Sequence, residues 1–102
     1  MTNHPEAGEK IFKKGEIIYQ QGDYVAAMYD VLWGQVALYV DYHQPTQRLL
    51  TEVEDDGFFG IVGFLESRPQ NATAVALEKT ACSIITHESF SHYFQERPAK
   101  VM

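Results

Sequence analysis

The sequence predicts a mainly β domain of sandwich, barrel or roll type with a helix near its C-terminal end. Three observations predict it. Turn signals recur at short intervals, at Gly15, Gln21-Gly22-Asp23, Gly34, His43-Gln44-Pro45, Asp55-Asp56-Gly57 and Arg68-Pro69. The segments between them are short and rich in β-branched and aromatic residues. In the best of them Val36, Leu38 and Val40 alternate with Ala37 and Tyr39, the period of a strand with one face on a core. Many short strands at even spacing belong to closed or double-sheet β folds.

Taken in order, Lys10 to Lys13 and Glu16 to Tyr19 flank Gly15 as a first turn, and Tyr29 to Trp33 and Gln35 to Val40 flank Gly34. Arg48 to Val53 is the next strand, closed by the acidic turn at Asp55-Asp56-Gly57. Ala72 to Leu77 and Ala81 to Thr86 make a late pair around Glu78-Lys79-Thr80. Val36, Leu38, Val40, Val75, Leu77 and Ile85 are the expected interior positions. Ile61 to Glu66 is long enough for one or two helical turns. His87 to Glu96 is the second helix, with Phe90, Tyr93 and Phe94 on one face, Thr86 as its cap and Pro98 as its stop.

Composition narrows the function classes. A chain of 102 residues fits one domain, and its 45% hydrophobic content with six Phe and six Tyr can fill a core. The formal charge of -6 repels phosphate backbones, so no direct nucleic-acid binding is expected. Cys82 is the only cysteine and lies in an apolar run, so it reads as a buried, inert thiol. No apolar stretch approaches the ~20 residues of a membrane span, and the N-terminus has no apolar signal core, so a cytoplasmic protein without membrane contact is expected.

The most informative stretch runs from Gly57 to Thr73. Phe58-Phe59 precedes Gly60, a short apolar helical turn follows, and Arg68-Pro69-Gln70-Asn71 leads into Ala72-Thr73. Backbone amides at the start of such a turn are suited to an anion. Packing of Phe58, Phe59, Phe64 and Leu65 in a core explains the same pattern equally simply.

Here the sequence resembles the cyclic nucleotide-binding domain of bacterial cAMP-receptor-type (Crp/Fnr) regulators, cation channels and kinase regulatory subunits. The resemblance is carried by Phe12 to Asp23 with its two glycine turns, by Met28 to Tyr39 around Gly34, and by Phe59-Gly60, Pro69 and Ala72 to Val75. It implies a β-roll, or jelly roll (double-stranded β-helix), with a short cassette helix and a C-terminal helix. The polar residues 1–9 read as a flexible tail, the binding domain that the resemblance implies covers 10–98, and a C-terminal tail covers 99–102. The resemblance also implies a ligand site at Phe59, Gly60, Ile61, Val62, Arg68, Gln70, Asn71 and Ala72, taking a cyclic nucleotide or another small anion. Output would pass through a homodimer or a separate protein.

The chain departs from the family at each polar position of the cassette. Ile61 stands where the family has the Glu that accepts a ribose hydroxyl, Gln70 where it has the Arg that pairs with phosphate, and Asn71 where it has Ser or Thr. A ribose hydroxyl left without its acceptor costs about 1–3 kcal/mol. Loss of the charged partner of a desolvated phosphate costs about 3–5 kcal/mol. Together these predict affinity lower by roughly a thousandfold or more. Arg68 is the neighbouring cation, placed in extended chain before Pro69.

The expected function is therefore a regulatory binding module with weak or altered cyclic nucleotide affinity. The alternative is an interaction or dimerisation module that has lost the ligand. A cupin-like metal enzyme lacks support: His87 and His92 are five apart, strands carry no H-x-H, and no catalytic constellation or cofactor motif is found.

Overall fold

The computed structural model describes residues 2–3 and 5–100. Among them the chain runs through β1 (Thr2–Asn3), β2 (Gly8–Phe12), β3 (Ile17–Tyr19), β4 (Tyr24–Val25), β5 (Ala27–Trp33), β6 (Val36–Val40), β7 (Arg48–Val53) and β8 (Phe58–Phe59). Helix α1 (Ile61–Glu66), β9 (Thr73–Ala76), β10 (Thr80–Thr86), α2 (Phe90–Glu96) and a 3₁₀ turn (Pro98–Lys100) follow. One sheet has the order β2-β10-β5-β8 and the other β3-β9-β6-β7, while β1 pairs in parallel with β4. The expected β-roll is the observed fold. Residues 8 and 9, read from sequence as tail, enter the first sheet through β2, where Gly8 stands opposite Ile84 and Glu9 opposite Ser83.

The turns do something the sequence reading did not anticipate. Segments flanking Gly15, Gly34 and Glu78-Lys79-Thr80 are not paired with each other: β2, β5 and β10 lie in one sheet and β3, β6 and β9 in the other. Each of these turns is a corner between sheets. The corners stack on one another through long-range bonds, Gly15 N–H to Ala76 O (2.7 Å), Ala76 N–H to Glu16 O (3.0 Å) and Leu77 N–H to Gln35 O (2.9 Å). The buried Thr80 hydroxyl bonds the Gln35 carbonyl (3.2 Å) and accepts from its N–H (3.1 Å). Among the described residues only β6 and β7 form a hairpin within one sheet, joined by residues 41–47.

Two apolar clusters result. Between the sheets lie Phe12, Tyr19, Val25, Ala27, Tyr29, Val31, Val36, Phe59, Ala74, Ala76, Cys82 and Ile84, with Leu38 packed against them. Leu38 therefore faces inward, while Tyr39 stacks on Tyr42 at 5.0 Å, as the alternation predicts. Val75 and Ile85 are buried but not between the sheets. Val75 stands opposite Ala37 and Ile17, one step out of phase with the inward Ala74 and Ala76. Ile85 belongs to the second cluster, with Met28, Phe64 and Tyr93, where α1 and α2 cover the outer face of the first sheet. Val40 and Leu77 are only half-buried.

Helix α2 begins at Phe90, three residues later than the periodicity suggests. Thr86 and Ser89 hydrogen-bond each other's backbone and side chains, and this turn occupies residues 86–89 in place of a first helical turn. Tyr93 anchors the helix: its hydroxyl donates to the carboxylate of Asp30, which is fully buried in β5. The Arg97 guanidinium lies 4.2 Å over the Tyr93 ring. Phe90 stacks on Phe64 and meets the Phe94 ring at a tilt, but stays partly in solvent.

Two outcomes follow from this packing. Phe64 is buried and joins α1 to the segment after β10 through stacked contacts with His87 and Phe90, so Phe64→Ala should cost about 3–5 kcal/mol in urea unfolding, while Phe90→Ala should cost clearly less. Burial pushes the Cys82 thiol from 9.0 to about 12 and the Tyr29 phenol from 10.0 to about 12. Above pH 9 the unfolded chain releases these protons while the folded chain keeps them, so stability falls as pH rises toward about 12. Urea midpoints should drop steadily across this range, and Cys82→Ala should flatten the first part of the drop.

Candidate functional site

The candidate site is the connection from β8 to β9. Tyr29 pairs with Phe59 and Asp30 with Phe58, so the two Phe side chains take opposite faces, Phe59 in the inter-sheet core and Phe58 under α2. Gly60 then adopts φ 77°, a left-handed conformation that L side chains rarely take, and turns the chain into α1. A Cβ at Gly60 would also stand 3.1 Å from the Tyr29 ring. Phe64 pulls α1 onto the second cluster, and Ser67, at φ 53°, ends the helix.

The floor of this connection is aromatic. Tyr29 stacks on Phe59 at 4.9 Å, and Tyr19 lies 5.7 Å and 6.0 Å from their two rings. Burial raises the Tyr19 phenol far above its ordinary value, with Tyr29 beside it adding to the shift. Neither phenol carries a negative charge at neutral pH.

Gln70 is the most constrained residue of the segment. It is only 2% exposed. Its N–H donates to Asp23 O (2.9 Å), its carbonyl accepts from Gly22 N–H (2.8 Å), and its Nε2 donates to Gly60 O (3.2 Å). The amide lies across Gly63, where an added Cβ would fall 2.4 Å from Gln70 Nε2 and 2.6 Å from Val25 O. Gln70 thus braces this segment, its backbone held on the β3–β4 turn and its side chain folded inward onto the start of α1.

The remaining predicted residues divide by burial. Phe59, Gly60 and Ala72 are buried with Gln70, and Val62 is half-buried. Ile61 and Asn71 are exposed, Ile61 to 41%. Arg68 points into solvent and pairs with Glu66 at 3.1 Å. It also lines a cleft of about 170 Å³ with Tyr24, Val25, Ala26, Gly63 and Ser67. Sequence reasoning missed Gly63, Tyr19, Tyr29 and Thr73, whose hydroxyl accepts from Gln21 N–H at 3.0 Å. The turn at Gln21-Gly22-Asp23 was legible, but its docking on Gln70 and Thr73 spans about fifty positions and leaves no local signal. Among the described residues no three or more His, Cys, Asp or Glu side chains come together as metal ligands do, and no helix is long and apolar enough to cross a membrane.

A family model of the cyclic nucleotide-binding domain matches residues 9–97, nearly the whole roll together with α1, α2 and the connection between β8 and β9. The chain belongs to the cyclic nucleotide-binding domain family. It is 32% identical over 74 residues to a cGMP-dependent protein kinase of Plasmodium berghei, covering 72% of this chain and 8% of that one. It is 28% identical over 83 residues to a cAMP-dependent protein kinase regulatory subunit of Dictyostelium discoideum, covering 78% of this chain and 25% of that one. The crystal structure of the Thermus thermophilus catabolite activator protein superposes with a TM-score of 0.78 at 25% identity, over 93% of this chain and 45% of that one. The chain thus spans a quarter or less of the two kinase-related relatives.

The brace makes a prediction about this cyclic nucleotide-binding domain. Gly63→Ala should destabilise it by about 1–3 kcal/mol, because the methyl meets both Gln70 Nε2 and the Val25 carbonyl. Gln70→Ala in the same chain should relieve part of the clash and not all of it, since the Val25 carbonyl stays. Urea unfolding of the four proteins of this cycle measures the coupling.

Proposed function

We propose that this chain is a regulatory binding module of the cytoplasm that takes a cyclic nucleotide, or another small anion, at the connection between β8 and β9, and takes it weakly. One observation carries this reading: Gly60 is left-handed and leads through α1 to the buried Ala72, a path suited to the cassette that the resemblance implies, with Ile61 and Gln70 where that cassette would have its ligand-holding side chains. Ile61 offers no acceptor to a ribose hydroxyl. Gln70 offers no charge and is committed to the Gly60 carbonyl. A ligand phosphate would rely on neutral donors, and neutral hydrogen bonds are roughly half as strong as charge-assisted ones. The relatives named for cGMP and cAMP support the nucleotide class. The module signals by altering contacts with a second copy or an output protein, and catalyses nothing itself.

A second reading, a ligand-free interaction module, draws on the inward Gln70 and on the pairing of Arg68 with Glu66 away from the cassette.

Calorimetry with cAMP and cGMP separates the two readings. The unchanged protein should bind no better than high micromolar. Ile61→Glu restores an acceptor, and Gln70→Arg restores a bidentate cation that must leave the buried slot to reach a phosphate. Both serve one ligand, so the double mutant should gain more than the sum of the singles and reach micromolar affinity. A folded double mutant that gains nothing overturns the cyclic nucleotide reading and favours the interaction module.

A further inference from the structure

We propose that β7 is a self-pairing edge, through which two copies of this chain join their second sheets into one continuous antiparallel sheet. The strand ends that sheet, with β6 on one side and, among the described residues, no strand beyond it. Among the described residues it is the longest edge strand of the two four-stranded sheets. β8 and β3 are edges of two and three residues, and β2 carries Lys10 at its middle, the usual devices that discourage edge pairing. β7 has six residues, Arg48-Leu-Leu-Thr-Glu-Val53, and five of them in a row are exposed. A bulge sets Thr51 opposite Leu38 and Leu49 opposite Tyr39, leaving Leu50 as the extra residue. The alternation is broken there, and neither leucine enters the core: Leu49 is 49% and Leu50 50% exposed.

The sequence of the strand selects the occupant. Under antiparallel pairing centred on Leu50, Arg48 of one copy stands opposite Glu52 of the other, Leu49 opposite Thr51, and Leu50 opposite itself. Both ion pairs form at once, and shifting the register by one residue puts Arg48 opposite Thr51. A two-fold partner is therefore complementary to this edge in charge and in apolar content. The formal charge of -6 on each chain opposes association at long range, and the ~8 Å Debye length of physiological salt confines that repulsion while leaving the short cross-strand pairs.

Sedimentation over a concentration series in physiological salt tests this. The mass should rise from the 11.6 kDa of one chain toward that of two. Arg48→Glu and Glu52→Arg, each of which creates two like-charge contacts by symmetry, should each weaken association by roughly tenfold or more. The double exchange, Arg48→Glu with Glu52→Arg, should restore it. Leu50→Lys should leave a monomer with an unchanged melting temperature. A mass that stays at one chain up to millimolar protein overturns the proposal, as does a dimer that survives Leu50→Lys or that the double exchange fails to restore.

Discussion

The brace at Gln70 is the contact on which the rest of the site depends. Two of its hydrogen bonds reach the Gly22–Asp23 turn, almost fifty residues away along the chain, and a third, from its side chain, holds the carbonyl of Gly60. The residue is buried, so an unmet amide or carbonyl there would carry the full cost of desolvation. Gly63 has no side chain because the amide of Gln70 and the Val25 carbonyl occupy the space. Gly60 is left-handed because the chain must turn there from β8 over the Tyr19–Tyr29–Phe59 floor into α1. Each local oddity of the cassette traces to this packing.

The same economy governs the roll. Corners at Gly15, Gly34 and Thr80 pass the chain from one sheet to the other and hydrogen-bond mainly with each other. The strands on either side of each corner are therefore partners across the core and not within a sheet. The first sheet carries apolar residues on both faces, because its inner face meets the second sheet and its outer face meets α1 and α2. Tyr93 couples that outer layer to the fully buried Asp30, so α2 is held by a polar anchor as well as by rings.

Function is decided at a few positions on this scaffold. On the proposed reading the backbone of the cassette suits a cyclic phosphate, while Ile61 and Gln70 provide neither the acceptor nor the cation that would hold it tightly. Restoring ligand affinity therefore competes with the brace, and a Gln70→Arg chain must give up the Gly60 bond to gain a phosphate partner.

Much of this was legible in the sequence. The period of Val36, Leu38 and Val40 gave the strand and its inward face at Val36 and Leu38, and the spacing of Phe90, Tyr93 and Phe94 gave the last helix. Motif resemblance pointed to the family, whose model matches residues 9–97. Less was legible where local signals serve more than one arrangement. A glycine between two apolar runs marks a hairpin or a corner equally well, and only contacts from distant strands chose the corner. Val75 and Ile85 were recognised as buried, but both faces of a covered sheet are apolar, so alternation alone did not say which face was which. Gln70 was recognised as an uncharged substitute, yet its inward direction depends on the Gly22–Asp23 turn and on Gly60. The sequence determined which residue types stand at the cassette, because that is covalent. The tertiary structure alone decided where they point, because burial and hydrogen bonding are settled by neighbours far away along the chain.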